Sequence, residues 1–214
     1  GEERALLISA TGTGKTYASA FAMRELGFKR VLFLVHRVTL AKQAKKSFEK
    51  VFDRKVTMGL VGAGFYEYEK DYVFATVETL NRDTHLFQYQ PDAFDCIILD
   101  EAHHSSNNIY TKVINYFNPK LFLGMTATPD KRDDNQEGKN IYEIFHYQIA
   151  HEIRLQQAME EDLLCPFHYY GIMDDTVDYS ALHFVRGHYE ESELTAAYLE
   201  NKKRDQLILG YFRK

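Results

Sequence analysis

Ser9-Ala10-Thr11-Gly12-Thr13-Gly14-Lys15-Thr16 follows the apolar run Ala5-Leu6-Leu7-Ile8 and precedes Tyr17-Ala18-Ser19-Ala20-Phe21-Ala22-Met23. Strand, glycine loop and helix in that order form the frame of a phosphate-binding loop. Gly12 and Gly14 allow positive φ and close approach of a ligand to the backbone. The turn aims N–H groups at one point, at a helix N-terminus whose partial positive charge favours an anion. Ala10, Thr11, Gly12, Thr13, Gly14, Lys15 and Thr16 are therefore expected around the phosphates of a nucleotide. Lys15 is placed to reach the β- and γ-phosphates and the Thr16 hydroxyl to hold Mg²⁺. The general pattern has Gly at the first position, where this chain has Ser9.

The rest of the chain fits such a loop. Its 214 residues, 45% hydrophobic and 27% charged, are ordinary for a globular protein and long enough for one α/β domain and a remainder. A net charge of −5 argues against a simple basic DNA-binding module, but not against a motor whose contacts are local. No apolar run approaches membrane-spanning length and no secretory signal is visible, so a cytoplasmic protein without a membrane partner is expected. Cys96 and Cys165 do not suggest a disulfide framework, and Cys96 reads as a buried thiol. The chain enters a core strand almost at once, which leads us to expect native sequence upstream of it.

After the loop, Thr16 to Glu25 reads as a helix stopped by Gly27. Val31 to Val35 reads as a strand buried on both faces, and a Lys-rich helix runs to about Phe52. Strands are expected at Val56 to Val61, Tyr72 to Val77, Cys96 to Leu99 and Leu121 to Met125. Tyr66 to Asp71 reads as a surface turn, Tyr110 to Phe117 as a helix, and Asp130 to Lys139 as a flexible loop. His151 to Asp162 reads as a helix and Glu190 to Arg213 as one or two more. Strands alternating with helices predict a mostly parallel sheet with helices on both faces, a three-layer αβα fold.

Asp100-Glu101 directly follows the apolar run Cys96-Ile97-Ile98-Leu99. At the carboxyl end of a parallel strand two acids border the crevice where such sheets bind ligands. One acid there can hold Mg²⁺, and its neighbour can orient and deprotonate a water for in-line attack on a γ-phosphorus. By itself an Asp-Glu pair often only starts a loop or caps a helix. Downstream of the phosphate loop it gains weight.

Gly12-Thr13-Gly14-Lys15-Thr16, Asp100-Glu101-Ala102-His103 and Thr126-Ala127-Thr128-Pro129, in this order, resemble the superfamily 2 helicases and translocases of the DEAD/DEAH group. Val35-His36-Arg37-Val38-Thr39-Leu40-Ala41 and Met125 to Asp130 resemble the branch of the type III restriction enzyme motor subunits and the bacterial excision-repair helicase. The resemblance covers residues 5 to 173 well and implies a RecA-like P-loop NTPase using ATP and Mg²⁺. It assigns phosphate and metal to Lys15 and Thr16, metal to Asp100, and the catalytic base to Glu101. Coupling between the nucleotide and nucleic-acid sites falls to His103, Thr126 and Thr128. Nucleic-acid backbone contact falls to Arg37, Thr76 and Thr79. Arg37 is also readable as a solvated strand-end charge, and Thr76 and Thr79 as turn hydroxyls. His104 beside His103 invites a metal reading, which lacks ligand spacing elsewhere in the sequence.

Such motors hold ATP between two RecA-like domains, and no second strand–helix series follows Pro129. We therefore expect residues 1–150 to be the first motor domain and 151–214 an approach to a second RecA-like domain of the same parent chain. The isolated fragment is expected to hydrolyse ATP weakly. DNA is favoured over RNA as partner on the resemblance alone. An RNA helicase motor domain and a nucleotide-gated nucleic-acid-binding scaffold without turnover stay open as alternatives. A small-molecule kinase leaves Thr126-Ala127-Thr128-Pro129 without explanation.

Overall fold

The run Val31–Val35 is buried at every position. Its Val31, Phe33 and Val35 side chains pack into one apolar cluster, and Leu32 and Leu34 into another. That is the period-two pattern of a strand covered on both faces. In the computed structural model it lies inside an eight-stranded sheet flanked by helices. The structure describes residues 3–52, 56–104, 108–129, 140–169, 171, 173–185, 188–199 and 201–212. The stretch Asp130 to Lys139, expected as a loop, lies outside the described residues.

The elements run β1 (Arg4–Ser9), α1 (Lys15–Leu26), β2 (Val31–Val35), α2 (Val38–Val51), β3 (Met58–Gly62), β4 (Phe65–Tyr66) and β5 (Tyr72–Thr76). They continue as α3 (Val77–Leu80), α4 (Asp83–Leu86), β6 (Cys96–Asp100), α5 (Asn108–Tyr116), β7 (Leu121–Thr126), α6 (Ile141–Ile144), β8 (Ile149–Ile153) and α7 (Leu155–Glu160). The strand order is β4-β3-β5-β2-β6-β7-β1-β8. Every neighbouring pair is parallel except β3 with β4.

Ala20 and Met23 of α1 and Ala41, Ala44 and Phe48 of α2 cover one face of the sheet. Leu80, Leu86, Val113, Ile114 and Phe145, from α3 to α5 and the end of α6, cover the other. These are the three layers expected from the strand–helix alternation. Cys96 is fully buried, and burial pushes its thiol pKa up. Among the described residues no helix is long and apolar enough to cross a membrane.

Two expectations change. His151 to Asp162 is not one helix: Ile149–Ile153 is a strand paired with β1, and helix begins only at Leu155. Pairing at the sheet edge, with Leu6 opposite Ile149 and Ser9 opposite Ile153, overrides the helix-forming composition of the segment. Phe65 and Tyr66, the latter read as the start of a turn, form a short antiparallel edge strand.

The chain divides into two compact units, Gly1–Pro166 and Phe167–Lys214. The second holds the hairpin β9 (Phe184–Val185) and β10 (His188–Tyr189) and the helices α8 (Glu191–Leu199) and α9 (Lys202–Phe212). Within it Arg204 Nε donates to Asp174 Oδ2 at 2.8 Å, and its guanidinium lies 4.2 Å from the Tyr198 ring centroid.

Candidate active site

The parallel strands end on one edge of the sheet, and the predicted site residues follow those ends. The phosphate loop follows β1. Asp100 and Glu101 end and follow β6, and Thr126 ends β7, which lies between β6 and β1. Arg37 follows β2 and Thr76 ends β5. β5 is separated from β6 by β2, about 10 Å across the sheet. The group formed by the glycine loop, the acidic pair and Thr126 thus shares an edge with the Thr76–Thr79 pair without merging with it.

The loop is held by its own groups. Gly12 and Gly14 take φ of +91° and +88°, in the region favoured by glycine. Gly14 caps α1 without a side chain, leaving the helix N-terminus open to a ligand. Lys15 Nζ donates to Ser9 O at 3.0 Å and lies 3.4 Å from Ala10 O. The Thr13 hydroxyl donates to Ala10 O at 2.7 Å and pairs with the Ser9 hydroxyl. Ser9 is not among the positive-φ residues, so a β-carbon there brings no strain. Its hydroxyl instead ties the neck of the loop.

A contact the sequence did not suggest covers the loop. A Cβ on Gly12 would stand 3.1 Å from Leu164 Cδ2. Ala10, Ile153 and Ala158 form a small apolar cluster with Leu164, and Ala10 N–H donates to Ile153 O at 3.0 Å. The segment after β8 is thereby packed onto the phosphate loop. The apolar spacing of Ile153, Ala158 and Leu164 is a weak signal, legible only once β8 is placed beside β1.

At β6, Asp100 is half-buried, and its Oδ1 accepts the Glu101 N–H at 3.1 Å. Burial raises its pKa and the Glu101 charge adds to this, while Lys15 pulls it down. Glu101 has φ +53°, rare for a side-chain-bearing residue and a form of local strain found at functional sites. His103 Nδ1 stands 3.0 Å from Thr126 Oγ1 and 3.3 Å from Glu101 Oε2. Thr126 Oγ1 also accepts the Thr128 N–H at 3.1 Å, and Thr128 Oγ1 lies 3.5 Å from His103 Nδ1. The three coupling candidates therefore meet in one hydrogen-bonded group that reaches Glu101.

The remaining candidates sit apart. Arg37 is exposed, and its backbone oxygen accepts the Leu40 and Ala41 N–H groups of α2. Thr76 caps α3, accepting the Thr79 N–H at 3.3 Å, and the two hydroxyls lie 2.8 Å apart. They line a cleft of about 430 Å³ together with His36, Tyr66, Arg82 and His85.

Comparison with known proteins places this arrangement. Residues 1–131 match the family described as type III restriction enzyme, res subunit. The type I restriction enzyme EcoAI endonuclease subunit of Escherichia coli is 29% identical over 182 residues, covering 78% of this chain and 21% of that protein. IRC3 of Saccharomyces cerevisiae, named as an ATP-dependent helicase, is 33% identical over 185 residues, covering 77% of this chain and 25% of that protein. The chain thus spans a fifth to a quarter of the length of these relatives. A nuclease-deletion mutant of the type ISP restriction-modification enzyme LlaGI, solved with a DNA substrate mimic, superposes with a TM-score of 0.57. It is 22% identical and covers 75% of this chain and 19% of that one. At that identity the likeness concerns the fold, which is RecA-like.

Proposed function

Because this chain belongs to the type III restriction enzyme res-subunit family, within the superfamily 2 helicases, we propose that it is the first RecA-like motor domain of a DNA-dependent ATPase, a helicase or translocase. The observation that carries this reading is the row of strand ends. The phosphate loop follows β1, the acidic pair stands at the end of β6 and Thr126 ends β7, and His103 links the last two.

In this reading Lys15 leaves the loop carbonyls it now binds and takes the β- and γ-phosphates of ATP. Glu101 orients the attacking water and accepts its proton. Thr16 and Asp100 are hard oxygen donors that suit Mg²⁺, and the raised pKa of Asp100 marks a carboxylate that a cation would stabilise. Bound there, Mg²⁺ would neutralise charge on the phosphate oxygens. His103, Thr126 and Thr128 relay the state of Glu101, and Arg37, Thr76 and Thr79 grip the nucleic-acid backbone.

We also propose that the motor domain runs through the compact unit ending at Pro166, since a boundary at 150/151 would divide β8. The residues beyond it would lead to a second RecA-like domain supplying the arginine that stabilises the transferred phosphoryl. By itself this chain would turn ATP over slowly. DNA is preferred over RNA because the matched family and the first relative are restriction enzymes.

The test is ATP hydrolysis by the protein without nucleic acid and with single-stranded DNA, duplex DNA or RNA. Stimulation by DNA, lost in Lys15→Ala and reduced roughly 10²–10⁴-fold in Glu101→Gln, is expected. Stimulation by RNA alone would make the partner RNA. Nucleotide binding without turnover under any condition would make the protein a nucleotide-gated scaffold.

A further inference from the structure

β4 carries two large rings that the core does not enclose: Phe65 is 38% and Tyr66 61% exposed. Successive residues of a strand point to opposite faces, and the contacts of these two differ accordingly. Phe65 meets Lys42 of α2, whose Nζ is 4.8 Å from the ring centroid. Tyr66 lies flat against His85 of α4, with centroids 5.7 Å apart and 4° between the planes. Tyr68 braces both rings: its hydroxyl pairs with His85 Nδ1, and its ring centroid lies 6.2 Å from that of His85 and 6.3 Å from that of Tyr66. Tyr66 is therefore a pre-set ring, mostly bare, at the edge of the cleft that holds Thr76 and Thr79. Gly62 brings the end of β3 against those hydroxyls; a Cβ there would stand 2.8 Å from Thr79 Oγ1. Arg82, His36 and Glu78 line the same cleft, with Arg82 Nη2 3.4 Å from Glu78 Oε1.

We infer that Tyr66, backed by His85, is a stacking platform for an unpaired nucleobase of a strand whose backbone passes Thr76 and Thr79. The inference rests on the nucleic-acid contact proposed for those threonines. A planar, partly apolar ring face beside hydroxyls and a guanidinium matches a nucleotide, whose base is planar and whose phosphate is anionic. The ring is already ordered by its neighbours, so little side-chain entropy is lost on binding. Bases inside a duplex are stacked on one another and cannot use it. The platform therefore favours single-stranded over duplex DNA and a base-bearing over an abasic strand. Stacking of this kind is sequence-tolerant because every base has a π-face.

The test is the affinity of the protein for a short labelled oligothymidylate and for an abasic strand of equal length, read by fluorescence anisotropy. Wild type is expected to bind the base-bearing strand about tenfold more tightly. Tyr66→Ala should abolish that difference by weakening the base-bearing strand, and Tyr66→Phe should keep it. Thr76→Ala with Thr79→Val should weaken both strands together. Equal wild-type affinity for the two strands, or equal weakening of both by Tyr66→Ala, would overturn the platform while leaving the backbone contact standing. Absence of binding to either strand would remove the backbone contact and the platform with it. If Tyr66→Ala does not fold, Tyr66→Leu, which keeps an apolar side chain and removes the ring, is read in the same way.

Discussion

His103 Nδ1 and Thr126 Oγ1 lie 3.0 Å apart and join the end of β6 to the end of β7. Thr126 is fully buried, so its hydroxyl cannot exchange this partner for water without local opening. The same oxygen accepts the Thr128 N–H, and the same imidazole lies 3.3 Å from Glu101 Oε2. A shift of Glu101 would be felt at Thr126 and at the backbone of Thr128 through two side-chain contacts.

Thr126→Val tests that relay. The side chain keeps its shape and loses its hydroxyl, leaving the Thr128 N–H without its acceptor. DNA-stimulated ATP turnover should fall about five- to tenfold, the rate equivalent of one hydrogen bond. The basal rate should fall less. Equal loss in both rates, measured with and without DNA, would assign Thr126 to chemistry or folding and not to the relay.

The parts of this site differ in how far they show in sequence. Cys96–Leu99 and Val31–Val35 are legible because a strand covered on both faces must be apolar throughout. The acids after the first run and the glycines after β1 then fall at strand ends by spacing alone. β8 is not legible. Four of its five residues are exposed, so it lacks both the apolar run and the alternation, and only pairing with β1 makes it a strand. With β8 misread, the cover of Leu164 over Gly12 is hidden as well. β4 is too short for any periodicity, which is why Tyr66 reads as a turn residue.

Gly12→Ala should cripple the loop for two separable reasons. The φ of +91° disfavours any β-carbon, and the new methyl would press on Leu164 at 3.1 Å. Left-handed strain of this kind is worth about 1–2 kcal/mol. Adding Leu164→Ala relieves the contact and leaves the φ strain. Nucleotide affinity should therefore fall in Gly12→Ala and recover only partly in the double variant, as measured by titration with a fluorescent ATP analogue. Full recovery would make the contact the entire cause.

Asp95 contributes to acid stability. Its Oδ2 accepts the Lys29 and Arg30 N–H groups at 2.9 and 3.0 Å, and its Oδ1 binds Lys120 at 2.7 Å, tying the entries of β2 and β7 together. Burial would raise its pKa, but the Lys120 contact and the two backbone bonds outweigh it and hold the pKa below the usual value. A lowered folded-state pKa gives stability that is present above the unfolded value of about 3.9 and is lost as pH falls through the folded value. Asp95→Ala should cost about 2 kcal/mol at pH 7. In urea titrations the gap between wild type and variant should narrow below about pH 4. A gap constant down to the acid limit would mean that Asp95 acts by packing and not by charge.

Tyr110 offers the opposite case, a polar group that should be better lost. The residue is 5% exposed, and its hydroxyl has no hydrogen-bond partner among the described residues. Burial, and then the charges of Asp100 and Glu101, push its pKa up to about 12, so the phenol stays neutral at physiological pH. A buried hydroxyl without a partner forfeits its hydration, about 1–3 kcal/mol, while its ring still fills the space against the sheet. Tyr110→Phe keeps the ring and removes the liability. The thermal midpoint should rise or stay level, with ATP turnover unchanged. A fall in turnover at unchanged stability would show that the hydroxyl engages the acidic pair during the reaction, a role its unpaired state at rest would then explain.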